Sequence, residues 1–198
     1  MMIAKYVKYI ELITQNLLQK YFERQKDYIN CKLGCSFCCE SGQYPYSDIE
    51  FQYLMLGYND LNEKEKTIIQ AKINEIKKQK EDYDGEEFMH ECPFLIDKKC
   101  SVYDYRGIIC RTHGLMYFIK DENSKSKNKA PNCVNFGLNY SNVFDKEQGI
   151  ISQELLEKTG IETQPVAYNI GLKALLNNVL TEELELEFGE ERALIDWL

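Results

Sequence analysis

Nowhere in this 198-residue chain does an apolar run approach the roughly 18 residues that a membrane span needs. The opening stretch, MMIAKYVKYIELITQ, is broken by Lys and Glu where a secretory signal would be continuously apolar. Net positive charge is missing too. The 24 Lys and Arg are outnumbered by 32 Asp and Glu, for a formal net charge of -8, which argues against nucleic-acid or anionic-membrane surfaces that work by neutralising phosphates. The one dense basic run, Lys125, Lys127 and Lys129, sits in DENSKSKNKA (121–130), which has almost no apolar residue and reads as an exposed, mobile loop. There is no internal repeat and no glycine-rich loop of the dinucleotide-binding kind. The expected setting is the cytoplasm, with no membrane or nucleic-acid partner.

What the chain has in concentration is cysteine. Cys31, Cys35, Cys38 and Cys39 fall within nine residues, and Cys92, Cys100, Cys110 and Cys133 follow, so that all eight lie between 31 and 133. Packing gives no reason for this clustering, because a buried thiol behaves as a small hydrophobe that Val or Ala could replace. In a reducing compartment, short regular cysteine spacings point to metal ligands or redox groups rather than disulfides. Thiolates brought together repel unless a cation neutralises them, and as soft ligands they suit zinc, iron or copper(I). Eight thiols allow two four-coordinate sites, or one site with thiols to spare; His90 and His113 raise the candidate donors to ten. Adjacent side chains point apart in extended backbone, so Cys38 and Cys39 are expected to differ in role.

The flanking sequence reads as helix. Ile3, Tyr6, Val7, Ile10, Ile13, Leu17, Leu18 and Tyr21 recur at helical spacing, predicting one long amphipathic helix over 3–29 that ends at a turn near Gly34. Ser47-Asp-Ile-Glu50 is a capping box opening a helix to about Met55. Asn62 and Glu65 repeat the logic for a helix through Ile69, Ile73 and Ile76 toward Tyr83. Cys92-Pro-Phe-Leu-Ile, the turn at 97–99 and Cys100-Ser-Val-Tyr suggest a short hairpin, with one further strand over 115–119. From Ser152 onward the pattern is helical again. The loops over 31–46 and 92–133 look too poor in apolar residues to order without metal.

The spacing of Cys31, Cys35 and Cys38, with Phe37 before the last, matches the cluster triad of radical S-adenosylmethionine enzymes. Those enzymes carry it after the first strand of a β/α barrel, whereas here a long helix precedes it. A wider resemblance covers 31–133. The pair Cys38-Cys39, Ser47-x-x-Glu50, Cys92-Pro-Phe-Leu, Cys100-Ser-Val-Tyr-Asp-Tyr-Arg106-Gly-Ile-Ile-Cys110-Arg111 and Cys133 resemble the YkgJ-type cysteine-cluster proteins, a zinc- or iron-chelating domain family. The family usually has Arg-Pro where this chain has Arg106-Gly107. The resemblance implies metal chelation; a branch of the wider group, the flagellin lysine N-methylases, carries a similar cluster.

The expected protein is mainly α: a single domain over 1–198, with a helical core and an inserted loop-rich cysteine lobe from about 31–46 and 90–135 that contains a short hairpin. All eight cysteines are candidate metal ligands for an iron–sulfur cluster (4Fe-4S) or zinc. Arg106, Arg111 and His113 are candidate cofactor-binding groups that offset thiolate charge beside Cys110. The expected function is metal or cluster binding with a redox or protein-modification role. The alternatives are a zinc-stabilised interaction module without catalysis and a methylase-like enzyme using S-adenosylmethionine. A protein partner or substrate is left open, as is whether the chain is an enzyme.

Overall fold

The periodicity of the first thirty residues produces helix, but not one uninterrupted cylinder. In the computed structural model, which describes residues 2–32, 34–120 and 126–198, α1 spans Met2–Ile13, a π turn covers Thr14–Leu18, α2 spans Gln19–Arg24 and a 3-10 turn covers Lys26–Tyr28. A π turn inserts extra chain into the helix and re-phases its apolar stripe. Within α1, before that turn, Tyr9 joins Tyr6, Ile10 and Ile13 on the buried face, and Leu18 is buried beyond it, while Val7, expected on the same stripe, is 41% exposed.

After Gly34, at φ +89, the chain forms α3 (Phe37–Glu40), β1 (Pro45–Ser47), α4 (Asp48–Asn59) and α5 (Glu63–Glu81). The helix expected to stop near Met55 continues to Asn59, and glycine at 57 makes room for the Tyr105 ring, which lies where a side chain there would stand. A hairpin of β2 (Leu95–Ile96) and β3 (Lys99–Cys100) follows, its turn made by Asp97 and Lys98 at φ +48 and +60. Then come α6 (Ile108–Thr112), β4 (Tyr117–Lys120), β5 (Ser126–Lys129), β6 (Phe144–Asp145) and β7 (Ile150–Ile151). The last elements are α7 (Gln153–Thr159), α8 (Leu172–Leu176), α9 (Val179–Glu183), β8 (Glu191–Ala193) and α10 (Leu194–Trp197). The described chain is mainly helical, with small antiparallel sheets. Among the described residues no helix is long and apolar enough to cross a membrane.

The chain divides into two compact units. The first comprises residues 2–8, 34–111 and 183–198. Its sheet pairs Pro45 with Ala193, Tyr46 with Arg192 and Ser47 with Glu191. Its core holds Tyr44, Tyr46, Leu54, Ile69, Ile73, Ile76, Phe94, Val102, Leu194 and Ile195. Spaced four then three, Ile69, Ile73 and Ile76 present one face of α5, each contributing about 1.5–3 kcal/mol by burial.

The second unit comprises residues 9–32 and 112–182 as far as described. Tyr28, Met116, Val134, Tyr140, Val143 and Leu156 form its core, with the Tyr28 and Tyr140 rings stacked at 5.6 Å. The loop expected over 121–130 is replaced in its second half: residues 126–129 are β5, paired with β4 from Tyr117↔Lys129 to Lys120↔Ser126. Residues 121–125, including Lys125, lie outside the described residues.

The segments between 92 and 133 are richer in core contacts than their sequence suggested. Phe94, Val102, Ile108, Leu115 and Met116 are all buried.

Candidate metal centre

The structure divides the cysteines between the units: Cys35, Cys38, Cys39, Cys92, Cys100 and Cys110 belong to the first, Cys31 and Cys133 to the second. In the first unit, backbone pairing brings distant segments together. The amides of Gly42 and His90 exchange hydrogen bonds of 3.0 and 3.2 Å, and the Cys92 amide donates to the Cys39 carbonyl at 2.8 Å. The hairpin then folds Cys100 back opposite Leu95. From the other side, Glu50 Oε1 accepts the Ile108 amide at 2.7 Å and Tyr46 Oη accepts the Gly107 amide at 3.0 Å, which seats the start of α6 and hence Cys110.

Cys38 and Cys39 do not adopt the extended backbone expected for a pair that points apart. They lie in α3, whose turn is closed by the Cys39 amide on the Ser36 carbonyl at 2.7 Å, and their sulfurs are 3.9 Å apart. The pair is nevertheless asymmetric. A hydrogen bond from Cys39 brings the Cys38 thiol down to about 7, helped by the Arg106 charge. Cys39 is driven up by the same bond, by burial and by the neighbouring sulfurs of Cys38, Cys92 and Cys110.

The remaining thiols belong to the same electrostatic neighbourhood. Burial raises Cys92, and Cys110 and Cys100 raise it further. Burial raises Cys100, with Cys38 adding to the rise, and pushes Cys110 up to about 12, with Cys100 and Cys38 both adding. Three opposing contacts favour charge on sulfur. The Phe94 amide donates to Cys92, the Val102 amide donates to Cys100, and Tyr46 Oη lies 3.6 Å from Cys110 Sγ. Cys38, Cys39, Cys92, Cys100 and Cys110 are thus half-buried soft donors, and all of them but Cys38 are raised by neighbouring sulfurs. Tyr44 is driven up by burial and, further, by Cys92, Cys39, Cys110 and Cys38.

The fit to a metal is good in chemistry and incomplete in geometry. Thiol sulfurs beside backbone amides are donors for a soft cation. Among the described residues, however, no group of three or more His, Cys, Asp or Glu is positioned to hold a metal ion. An ion held by three or four of these sulfurs requires their side chains to draw together.

The other candidates are placed as follows. Cys35 is exposed on the loop before α3. The Arg106 guanidinium lies 3.4 Å over the Tyr103 ring, its Nε donates to the Tyr103 carbonyl, and its charge favours the ionised forms of Cys38, Cys100 and Cys110. Arg111 instead braces the backbone, donating to the carbonyls of Arg106 at 3.0 Å and Asp104 at 2.6 Å. His113 is half-buried in the second unit. The ring of His90 packs between Phe88 and Tyr44, with Nδ1 2.8 Å from the Glu91 carbonyl.

No family model, curated protein or solved structure matches this chain.

The second unit places its two cysteines around Tyr140, whose phenol is raised by burial and, further, by Cys133 and Cys31. Asn139, fully buried, donates to Cys31 Sγ at 3.1 Å and to the Gly114 carbonyl at 2.8 Å, and accepts the Asn30 amide at 2.7 Å. Gly114, at φ +99, cannot be exchanged for a larger residue, since a Cβ there would stand 2.7 Å from Asn139 Nδ2 and 3.1 Å from Cys31 Sγ. Sequence reasoning missed Tyr44, Tyr46 and the Gly107 amide as neighbours of the thiols. The one local signal was the pair of tyrosines just before the Ser47 cap.

Proposed function

We propose that the first unit is a thiolate metal-binding module that holds an iron–sulfur cluster or zinc through Cys38, Cys39, Cys92, Cys100 and Cys110, with Arg106 as the nearby counter-charge. The observation that carries this reading is that five half-buried sulfurs from three separate segments share one electrostatic neighbourhood, in which Cys39, Cys92, Cys100 and Cys110 are each raised by neighbouring sulfurs. A bound cation reverses that rise, because it lowers the cost of every thiolate at once. Cys38, already lowered to about 7, is the first ligand to lose its proton near neutrality. The amides of Phe94 and Val102 orient Cys92 and Cys100 and take up part of the sulfur charge. The sequence likeness to the YkgJ-type proteins supports the same chemistry.

Protein purified without oxygen tests the proposal by elemental analysis and absorption spectrum. At least one zinc, or iron with matching sulfide, is expected per chain, and Cys92→Ser or Cys110→Ser should lower the content several-fold. A chain that carries neither and takes up neither on reconstitution overturns it. Brown protein whose visible absorption bleaches on reduction assigns the cluster; colourless protein with zinc assigns the closed module without redox chemistry.

A further inference from the structure

We infer that the Gly107 amide, the Tyr46 phenol and the Cys110 sulfur form a hydrogen-bond relay that steadies negative charge on Cys110, which makes Tyr46 a positioning residue of the thiolate site. The inference rests on the reading of Cys110 as a ligand. A phenol has one proton. Tyr46 Oη accepts the Gly107 amide at 3.0 Å through a lone pair, and an ionised Cys110 sulfur, 3.6 Å away and without a proton of its own, can only accept the phenol's. Burial keeps water from competing, since Tyr46 is 2% exposed.

The ring has little freedom to move. Tyr46 is the middle residue of β1, paired with Arg192, and its carbonyl accepts the Trp197 indole N–H at 2.9 Å. On the far side stands Gly107. A Cβ there would lie 2.8 Å from ring carbons Cε1 and Cζ and 3.0 Å from Glu50 Oε1. Glycine lets the backbone approach the ring closely enough for its amide to reach the phenol, and proline at 107 would have no amide proton to give. Glycine at 107 is therefore what completes the relay in this chain.

Cobalt(II) alone, titrated into metal-free reduced protein, is the probe. Tyr46→Phe deletes the hydroxyl and keeps the ring. Loss of an outer donor to a ligating group weakens metal affinity by about 10–100-fold, and the same loss is expected here. The sulfur-to-cobalt charge-transfer band should move to lower energy, because a sulfur without its donor holds its electrons less tightly. Gly107→Ala should move the band the same way. A fluorinated tyrosine at 46, a stronger donor of nearly the same shape, should move it the opposite way, a response that a merely structural ring would not give. Should Tyr46→Phe fail to fold, the fluorinated protein decides. Unchanged affinity and band in Tyr46→Phe, or no shift with the fluorinated ring, overturn the relay while leaving the ligand reading intact. Wild-type protein that takes no cobalt overturns the ligand reading, and the relay with it.

Discussion

Truncating Glu50 to alanine removes the acceptor that joins the start of α4 to the start of α6. The carboxylate is fully buried. Its Oε2 takes the Ser47 amide at 3.0 Å and the Ser47 hydroxyl at 2.7 Å, while Oε1 takes the Ile108 amide at 2.7 Å. Ser47 and Ile108 are themselves 1% and 0% exposed, so water cannot replace the lost acceptor. Two orphaned buried amides at about 1–3 kcal/mol each give about 2–6 kcal/mol. Relief of a desolvated carboxylate offsets part of this, which leaves about 2–4 kcal/mol, a large share of a domain's usual stability. Glu50→Gln keeps one oxygen for Ile108 and turns its amide NH2 toward Ser47, where the hydroxyl can accept in place of donating, so it should cost less, about 1–2 kcal/mol. Urea midpoints at constant slope measure both. Burial raises the folded-state pKa of Glu50 above 4.5. The stability this confers is fully present below 4.5 and is lost as pH rises through the raised value. The wild-type advantage over Glu50→Gln should therefore narrow as pH rises from about 4.5. An alanine variant within about 0.5 kcal/mol of wild type, or a glutamine variant as unstable as the alanine one, refutes the bridging role.

Three further outcomes are expected. In reduced, metal-free protein the Cys38 thiol, lowered to about 7, should be alkylated by iodoacetamide ahead of Cys39 at neutral pH, as read by fragment mass spectrometry; Cys39 reacting first would contradict the assigned asymmetry. Burial holds His90 below 6.5, so the stability tied to its neutral form is present above pH 6.5 and lost as pH falls through the depressed value; His90→Phe, seated between Phe88 and Tyr44, should flatten the fall of thermal midpoint between pH 8 and 5, and an unchanged slope rejects this. Asn139→Ala strips the buried Gly114 carbonyl of its side-chain donor and frees the Asn30 amide, which water can reach, and should destabilise by about 1–3 kcal/mol, with a shift under about 0.5 kcal/mol in urea unfolding counting against it.

Local signals in the sequence were enough to place the starts of α4 and α5. The Ser47–Glu50 and Asn62–Glu65 boxes act within one turn of chain, and both form with the reciprocal bonds their spacing implies. The hairpin between Cys92 and Cys100 and the buried stripe Ile69, Ile73 and Ile76 were legible for the same reason, since turn chemistry and helical periodicity span only a few residues. Features set by remote pairing were not legible. The second oxygen of Glu50 finds Ile108, Tyr46 finds Gly107 and Cys110, and β1 finds β8, each across far more chain than a local pattern reaches. The vicinal pair, expected in extended backbone, is turned into helix by the Ser36 carbonyl. By itself the sequence determined the thiol inventory and the capped starts of α4 and α5. Which sulfurs share a neighbourhood was decided by the tertiary fold, because a thiol's ionisation depends on burial and on charges that only the packed chain brings beside it.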